Sequence, residues 1–205
     1  MDFIGFPKIP RLFRPIVITE KIDGTNAQIV IDHVEYQQTW EAEHGVPLLY
    51  VLDEVGRKLA VRAASRTKYI VPQADNHGFA GWVFQNGVTL AQLGPGRHFG
   101  EWWGQGINRG YGLKEKRFSL FNVAKWSDPA VRPACCHVVP VVFEADVFNE
   151  TAVQVALAKL RFEGSLAAPG YMKPEGVVVY HKAGNFCFKV TLENDMQPKG
   201  RPEGS

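Results

Sequence analysis

Residues 17–31 read VITEKIDGTNAQIVI, and the organisation of the chain is inferred outward from this stretch. Two β-like runs, Ile16–Ile22 and Ala27–Asp32, flank a turn that contains Asp23 and Gly24. Val and Ile favour strands, whereas Asp-Gly is a frequent turn sequence, so the stretch predicts a β-hairpin. Lys21 lies at the end of the first strand beside acidic residues. The rest of the sequence must indicate whether it is a surface charge or a nucleophile.

The other predicted elements are mostly strands. Seven further β-like runs are expected, at Pro47–Leu52, Leu59–Ala63, Arg97–Trp103, Arg117–Val123, Val138–Ala145, Gly176–Tyr180 and Asn185–Thr191. Helical spacing of apolar residues predicts two helices, Phe79–Leu90 and Glu150–Arg161, the second capped by Asn149. Because the strands occur in hairpin-like pairs, we expect an α+β fold of antiparallel β-sheets flanked by helices.

Composition indicates one globular domain. The 205 residues are 45% hydrophobic and 21% charged, as in ordinary globular proteins. The last residues are polar and contain Pro and Gly, which predicts a domain over 1–192 followed by a tail over 193–205. The net charge of +2 excludes the strong basic signature of a nucleic-acid coat protein but permits a local basic groove. Candidate basic clusters are Arg57–Lys58–Arg62 and Lys114–Lys116–Arg117, for which solvated surface is the alternative.

Cysteine usage and hydropathy bear on location. Three cysteines, two of them adjacent, favour a reducing, intracellular and therefore cytoplasmic setting. The first residues have no apolar core of signal-peptide length. No stretch approaches the run of about 20 apolar residues that crosses a membrane, so we expect a soluble protein with no membrane partner.

Lys21 has two interpretations. A Lys-x-Asp-Gly pattern by itself is weak, and a solvated lysine beside a β-turn explains it. As a nucleophile Lys21 must be unprotonated, so its pKa must fall well below the ordinary value of about 10.4. Neighbouring carboxylates have the opposite effect, so other segments would have to supply positive charge.

Five later residues could complete such a site, although each has an ordinary alternative. Arg66 follows a β-like run, where its guanidinium could bind ribose or phosphate. Glu101 lies among aromatic residues, where a carboxylate needs a partner. Phe121 could stack on a purine or pack in the core. Glu175 opens an apolar strand, and Lys189 lies within the partner strand, facing a ligand or solvent.

The order of these segments resembles a known superfamily. EKIDGTN, SR, FGEW, FSLFNV, EGVVVY and FKV follow one another as do motifs I, Ia, III, IIIa, IV and V of the covalent nucleotidyltransferases. These are the ATP-dependent DNA ligases, RNA ligases and mRNA capping enzymes. The form EKIDGTN is most similar to RNA ligases of the second phage type and their editing-ligase relatives. The resemblance runs from Ile16 to Thr191 and implies the nucleotidyltransferase (ATP-grasp-like) domain of nucleic-acid ligases.

The resemblance also implies a reaction. Lys21 would attack the α-phosphate of ATP and carry AMP, which would pass to a 5′-phosphate before a 3′-hydroxyl seals the strand. For the nucleotide, it implies that Glu20 and Phe121 contact the adenine, that Arg66 and Glu101 contact the ribose and phosphate, and that Lys189 contacts the α-phosphate. It implies that Glu175 binds Mg²⁺ or Mn²⁺. Asp23 and Asn26 would act in the later steps, in which AMP passes to the nucleic acid and the strand is sealed.

The sequence departs from the family pattern at three points. Motif V usually has a second lysine where Thr191 stands, and Lys182 is the charge that could replace it. Asn122 follows the stacking aromatic where an Asp is frequent. We expect the catalytic domain alone, without a separate OB-fold or C-terminal domain, so that a helper protein would supply strand binding.

The expected function is an ATP-dependent polynucleotide ligase, a monomer with RNA favoured over DNA as substrate. The alternatives are a DNA ligase, a GTP-using capping-type guanylyltransferase, and a non-catalytic nucleic-acid-binding module with a degenerate nucleotide pocket. An NAD-dependent ligase is disfavoured, since no N-terminal segment for the nicotinamide half is evident.

Overall fold

The computed structural model describes residues 3–34, 46–75, 77–193 and 195. Within these ranges the strands are β1 Ile16–Lys21, β2 Thr25–His33, β3 Leu49–Leu52, β4 Lys58–Ser65, β5 Tyr69–Ile70, β6 Gly96–Gly104, β7 Lys116–Leu120, β8 His137–Val138, β9 Val141–Ala145, β10 Gly176–His181 and β11 Phe186–Thr191. The α-helices are α1 Phe79–Leu90, α2 Val123–Trp126 and α3 Glu150–Glu163. Short 3₁₀ turns span Pro72–Ala74 and Ala91–Leu93. The α+β fold class is confirmed.

The chain divides into two compact units. Unit 1 comprises residues 1–22 and 140–205, and unit 2 comprises residues 23–139. The division into one domain over 1–192 and a tail over 193–205 stays a prediction. Most of that tail lies outside the described residues.

Unit 1 is a four-stranded antiparallel sheet in the order β11-β10-β1-β9, with α3 on one face. Ile16, Ile18, Val177 and Val179 alternate with residues of the other face and pack against the apolar side of α3. The predicted cap of that helix is confirmed, since Ala152 N–H donates to Asn149 Oδ1 at 2.8 Å. The register across the first three strands aligns Lys21, Gly176 and Thr191.

Unit 2 is a seven-stranded sheet with the path β3-β4-β2-β6-β7-β8, and β5 pairs with β4. The β7–β8 pair is parallel and the other pairs are antiparallel. Ile29, Ile31 and Trp102 form a core with residues of α1, among them Phe79 and Val83. The odd-numbered residues Ala27, Ile29 and Ile31 of β2 face this core, so the even-numbered residues of the strand face the opposite side of the sheet.

One predicted strand was wrong. Val138–Ala145 is two strands in different sheets, separated at Val139 and Pro140. Val139 N–H still donates to Leu120 O in unit 2, whereas Pro140 O accepts from Glu20 N–H in unit 1. Proline has no N–H to donate to a ladder, so a strand is readily interrupted there.

Candidate active site

Lys21 makes a short ion pair within unit 1. Its Nζ donates to Glu175 Oε2 at 2.6 Å, and the side chains are 20% and 3% exposed. Glu175 immediately precedes Gly176, the register partner of Lys21, so the sheet brings the two charged groups together. Lys21 is the donor in this charge-assisted hydrogen bond, so nucleophilic use of its nitrogen requires that the Glu175 carboxylate become engaged by another cation.

Gly176 allows a close approach of β11 beside this pair. Its φ is +155°, and a Cβ there would lie 2.2 Å from Val190 O. A side chain at this position would push β11 away from β10. The strand alternation places Lys189 and Thr191 on the face that also carries Lys21, opposite α3. Lys189 is exposed.

Thr191 is engaged in a turn of the chain that follows it. Its N–H donates to Asp195 Oδ1 at 2.7 Å, and its Oγ1 donates to Glu193 O at 2.8 Å. Lys182, the candidate replacement charge, follows the far end of β10 and pairs with Glu144 at 3.5 Å. Lys182 is six residues along β10 from Gly176, the register partner of Thr191, so the two positions are about 20 Å apart along the strand. The register therefore does not bring Lys182 to the motif V position.

Glu20 is buried at 1% exposure, with its carboxylate bonded inside unit 1. Ser165 Oγ donates to Oε1 at 2.6 Å, and the N–H groups of Leu166 and Ala167 donate to Oε2 at 2.8 and 2.9 Å. Burial raises the pKa of Glu20, and these hydrogen bonds oppose the rise. The carboxylate thus holds the turn that begins at Ser165, and the predicted adenine contact stays a prediction.

In unit 2 the sheet brings together several of the predicted residues. Asn26 pairs with Glu101, and Glu101 pairs with Ser119, so their side chains share the face opposite α1. Phe121 follows β7 on the same face, and its N–H donates to Phe99 O at 3.0 Å. Phe99 and Phe121 are 47% and 39% exposed, so both rings are accessible.

Arg66 lies at the end of β4. It is exposed and follows Ser65, whose register partner is Ala27. Arg66 thus comes one residue after the Ala27–Ser65 pair, at the same end of the sheet as Asn26. Asn122, the other departure from the motif, caps α2, because its Oδ1 accepts from Lys125 N–H at 3.1 Å.

The Asp23–Gly24 turn is held within unit 2 by a set of contacts that we call the clasp: Glu101, Asn108, Arg109 and Tyr111. Asp23 N–H donates to Tyr111 Oη at 2.8 Å, and Gly24 N–H donates to Glu101 Oε1 at 3.1 Å. Asn108 Nδ2 donates to Gly24 O at 2.6 Å and to Asp23 Oδ1 at 3.1 Å. Arg109 Nε donates to Asp23 Oδ2 at 3.1 Å.

Sequence patterns alone did not indicate Asn108, Arg109, Tyr111 or Phe99 as functional residues. The signal that could have found the first three is the run GQGINRGYG at 104–112, which directly follows the strand of Glu101. Asn108 and Tyr111 adopt φ of +44° and +53°, a region that non-glycine residues enter only when their surroundings enforce it. Tyr111 also packs edge-on against Trp103 with 5.0 Å between ring centroids.

The basic clusters considered as RNA-binding surfaces are largely engaged within the chain. Arg62 is 1% exposed and pairs with Asp32 at 2.9 Å. Arg57 pairs with Asp53 at 2.7 Å, and Arg117 pairs with Glu115 at 2.6 Å. The further contacts are Lys58 Nζ over the Tyr50 ring at 4.1 Å and Lys116 Nζ donating to His77 O at 2.8 Å.

In the part of the chain that the structure describes, no helix is both long enough and apolar enough to cross a membrane.

Comparison with known proteins identifies the family. A family model described as RNA ligase matches residues 14–191, and the chain belongs to this family. The resemblance inferred from the motif order is therefore confirmed at the level of the family. A search of curated protein sequences gave no match.

Solved structures share the fold. A Naegleria gruberi RNA ligase mutant with ATP and Mn aligns with a TM-score of 0.51 at 18% identity, over 87% of this chain and 49% of that chain. A second mutant with ATP and Mn gives 0.50 at 15%, over 87% and 50%. A third, with AMP and Mn, gives 0.50 at 19%, over 87% and 49%. The present chain thus spans about half the length of these ligases.

Proposed function

We propose that this domain is the adenylylation domain of an ATP-dependent RNA ligase that joins 5′-phosphate and 3′-hydroxyl ends. The observation that carries the proposal is Lys21, held 2.6 Å from a buried Glu175 in the motif that resembles the nucleophile motif of the family. Membership of the RNA ligase family supports the choice of RNA. The ATP and AMP in the structurally similar ligases support the choice of nucleotide.

The chemistry proposed for Lys21 is nucleotidyl transfer through a lysyl-AMP. The unprotonated amine forms a bond to the α-phosphorus of ATP as the bond to pyrophosphate breaks, and the amine gives up a proton. An oxygen of the RNA 5′-phosphate then displaces the lysine, which regains a proton. Finally the 3′-hydroxyl oxygen gives up its proton and forms a bond to the phosphorus of the 5′-phosphate as the bond to AMP breaks. In-line positioning and positive charge on the phosphates are what such transfers need.

The residues present fit a divalent cation at Glu175. No cluster of three potential His, Cys, Asp or Glu ligands occurs among the described residues. Mg²⁺ often uses one or two carboxylates and completes its shell with phosphate oxygens and water, so a single buried carboxylate suits it. Mg²⁺ or Mn²⁺, when bound, would neutralise phosphate charge and compete with the Lys21 ammonium for Glu175.

The other roles follow from the placement of each side chain. Lys189, exposed on the same sheet face as Lys21, would contact the α-phosphate. Phe121 would stack on the adenine, as its exposure allows. The remaining assignments are adenine recognition near Glu20, ribose and phosphate contacts by Arg66 and Glu101, and nucleic-acid steps for Asp23 and Asn26.

For the wider setting we propose RNA over DNA as substrate, a monomer, a cytoplasmic location, and a helper protein or further segment that supplies strand binding. The two basic clusters support the last point, since their three arginines, Arg57, Arg62 and Arg117, are already paired with carboxylates within the chain. Phosphate contacts would have to come from other surfaces.

The test is labelling of the purified protein with [α-³²P]ATP and Mg²⁺. We expect a covalent adduct that is lost in Lys21→Met and retained in Lys125→Met, an exposed control. GTP and NAD are assayed in parallel. Preferential labelling by GTP would replace this proposal with a guanylyltransferase, and no label with any nucleotide would replace it with a non-catalytic module. Sealing assays on nicked RNA and nicked DNA then decide the strand substrate.

A further inference from the structure

The N-terminal strap, residues 3–14, keeps its apolar side chains in solvent. It forms neither helix nor strand, and every residue in it is exposed. The exposed fractions of its large apolar residues are Phe3 95%, Ile4 91%, Phe6 86%, Ile9 75%, Leu12 55% and Phe13 66%. A concentration of exposed apolar side chains of this kind is typical of an interaction site.

The strap sequence FIGFPKIPRLFR repeats with a period of three. One set of positions, three apart, is Phe3, Phe6, Ile9 and Leu12. A second is Ile4, Pro7, Pro10 and Phe13, and the third is Gly5, Lys8, Arg11 and Arg14. Proline fixes its own φ and disfavours helix at the preceding residue, so this sequence favours polyproline II geometry. With three residues per turn, Lys8 and Arg11 fall on one face about 9 Å apart. Arg14 follows a bend at residues 12–14, where its N–H donates to Leu12 O at 2.9 Å.

The end of the strap is fixed to unit 1. Phe148 N–H donates to Arg14 O at 2.9 Å, and Lys182 N–H donates to Pro15 O at 3.0 Å. His181 Nδ1 accepts from Gly184 N–H at 2.9 Å, which leaves the proton on Nε2 to donate to Leu12 O at 2.7 Å. The backbone of residues 12–15 is thus positioned, while the apolar side chains of the strap remain in solvent.

We propose that the strap is a binding surface for single-stranded RNA. Lys8, Arg11 and Arg14 would contact phosphates of the strand, and Phe3 and Phe6 would stack on bases. The identity of the strand rests on the proposed function. Residues 3–15 include three cations and no carboxylate, so the charge is complementary to a polyanion. Interleaved cations and aromatic rings are the general means of binding single strands without sequence preference.

The test measures binding of a fluorescent, 5′-phosphorylated single-stranded RNA of about 12 nucleotides by anisotropy, at about 50 to 200 mM salt. The basic-face variant is Lys8→Gln/Arg11→Gln/Arg14→Gln. Its control, with the same change in net charge, is Lys125→Gln/Lys159→Gln/Arg161→Gln. Three phosphate contacts contribute a salt slope of about −2, so over this range the wild type should lose about 20-fold more affinity than the basic-face variant. The control should retain the wild-type slope.

The aromatic contribution is tested by Phe3→Ala/Phe6→Ala against Phe84→Ala/Phe162→Ala, which removes two other exposed rings. We expect at least about a fivefold loss of RNA affinity for the strap pair and less than twofold for the control pair. Thermal melts verify that each variant folds.

The proposal is overturned if both strap variants bind RNA as the wild type does. It is also overturned if they change the sedimentation behaviour of the protein while RNA affinity stays constant, which would make the strap a protein interface. Labelling by ATP without RNA is measured for every variant. If the wild type is not labelled by ATP, the proposed function is wrong. The comparison of RNA affinity between the wild type and the strap variants tests the strap alone.

Discussion

Among single residues, Glu175 is expected to control the reactivity of Lys21, its partner in the ion pair. Glu175→Gln should reduce the rate of labelling by ATP at least about 100-fold, because a neutral amide neither orients the amine as strongly nor compensates a divalent cation. The matched control is Glu144→Gln, which removes an exposed carboxylate whose partner Lys182 lies 3.5 Å away. Wild-type labelling in Glu175→Gln would contradict the role assigned to this carboxylate.

The burial of Glu20 is expected to make the stability of the protein depend on pH. Burial raises its pKa above the ordinary value of 4.5, so the folded protein holds this proton more tightly than the unfolded chain. The associated stability is fully present below pH 4.5 and is lost as pH rises through the raised pKa. Glu20→Gln lacks this contribution, so its deficit in Tm relative to wild type should be larger at acid pH and shrink toward neutral pH. A deficit that grows with pH would contradict this assignment.

The motif identified Glu20 and Lys21 as site residues, but the sequence could not foresee their partners. Glu20 and Ser165 are 145 positions apart, and Lys21 and Glu175 are 154 apart. Such contacts depend on the pairing of β1 with β10, and no local pattern encodes that pairing. The three donors to the Glu20 carboxylate were therefore absent from the sequence interpretation, which assigned the side chain to a ligand.

At the scale of elements, the turn at Gly24 makes a prediction about stability. A Cβ on Gly24 would lie 2.5 Å from Trp102 O and 2.7 Å from Trp103 Cβ, and the clasp leaves the turn little freedom to move away. Gly24→Ala should therefore lower the free energy of unfolding by roughly 3 kcal/mol or more.

The matched control for Gly24→Ala is Gly81→Ala. Gly81 lies inside α1 with nothing within 4 Å of its added Cβ, so alanine should stabilise the protein by about 0.5–1 kcal/mol. Urea denaturation of both variants measures the difference. Equal effects of the two substitutions would show that the clasp does not constrain the turn.

Local patterns predicted the elements well where one pattern dominates. Phe79–Leu90 has an apolar face and no competing signal, and α1 has those bounds. The prediction of one strand over Val138–Ala145 was wrong because an almost continuous apolar run resembles a single strand. The chain leaves unit 2 at Val139 and enters unit 1 at Pro140. The helix α2 was missed since its four residues are too short for a periodic signal.

For the whole molecule, the division into two units predicts that unit 2 folds without unit 1. Unit 2 is one continuous segment, 23–139, whereas unit 1 is assembled from two separated segments. Unit 2 also has its own buried core around Ile29, Ile31, Trp102 and Phe118. A continuous segment with its own core can fold independently. We therefore expect a polypeptide of residues 23–139 to give dispersed amide NMR signals and a cooperative urea transition.

The control in the same polypeptide is Ile29→Asp, which buries an unpaired carboxylate at a site of 0% exposure and should abolish both signatures. Cooperative folding of the wild-type segment and its loss in the variant would show that the core around Ile29 organises unit 2 without residues of unit 1. A polypeptide 23–139 that lacks dispersed signals would show that this core needs the rest of the chain, and the two units would then be one folding domain.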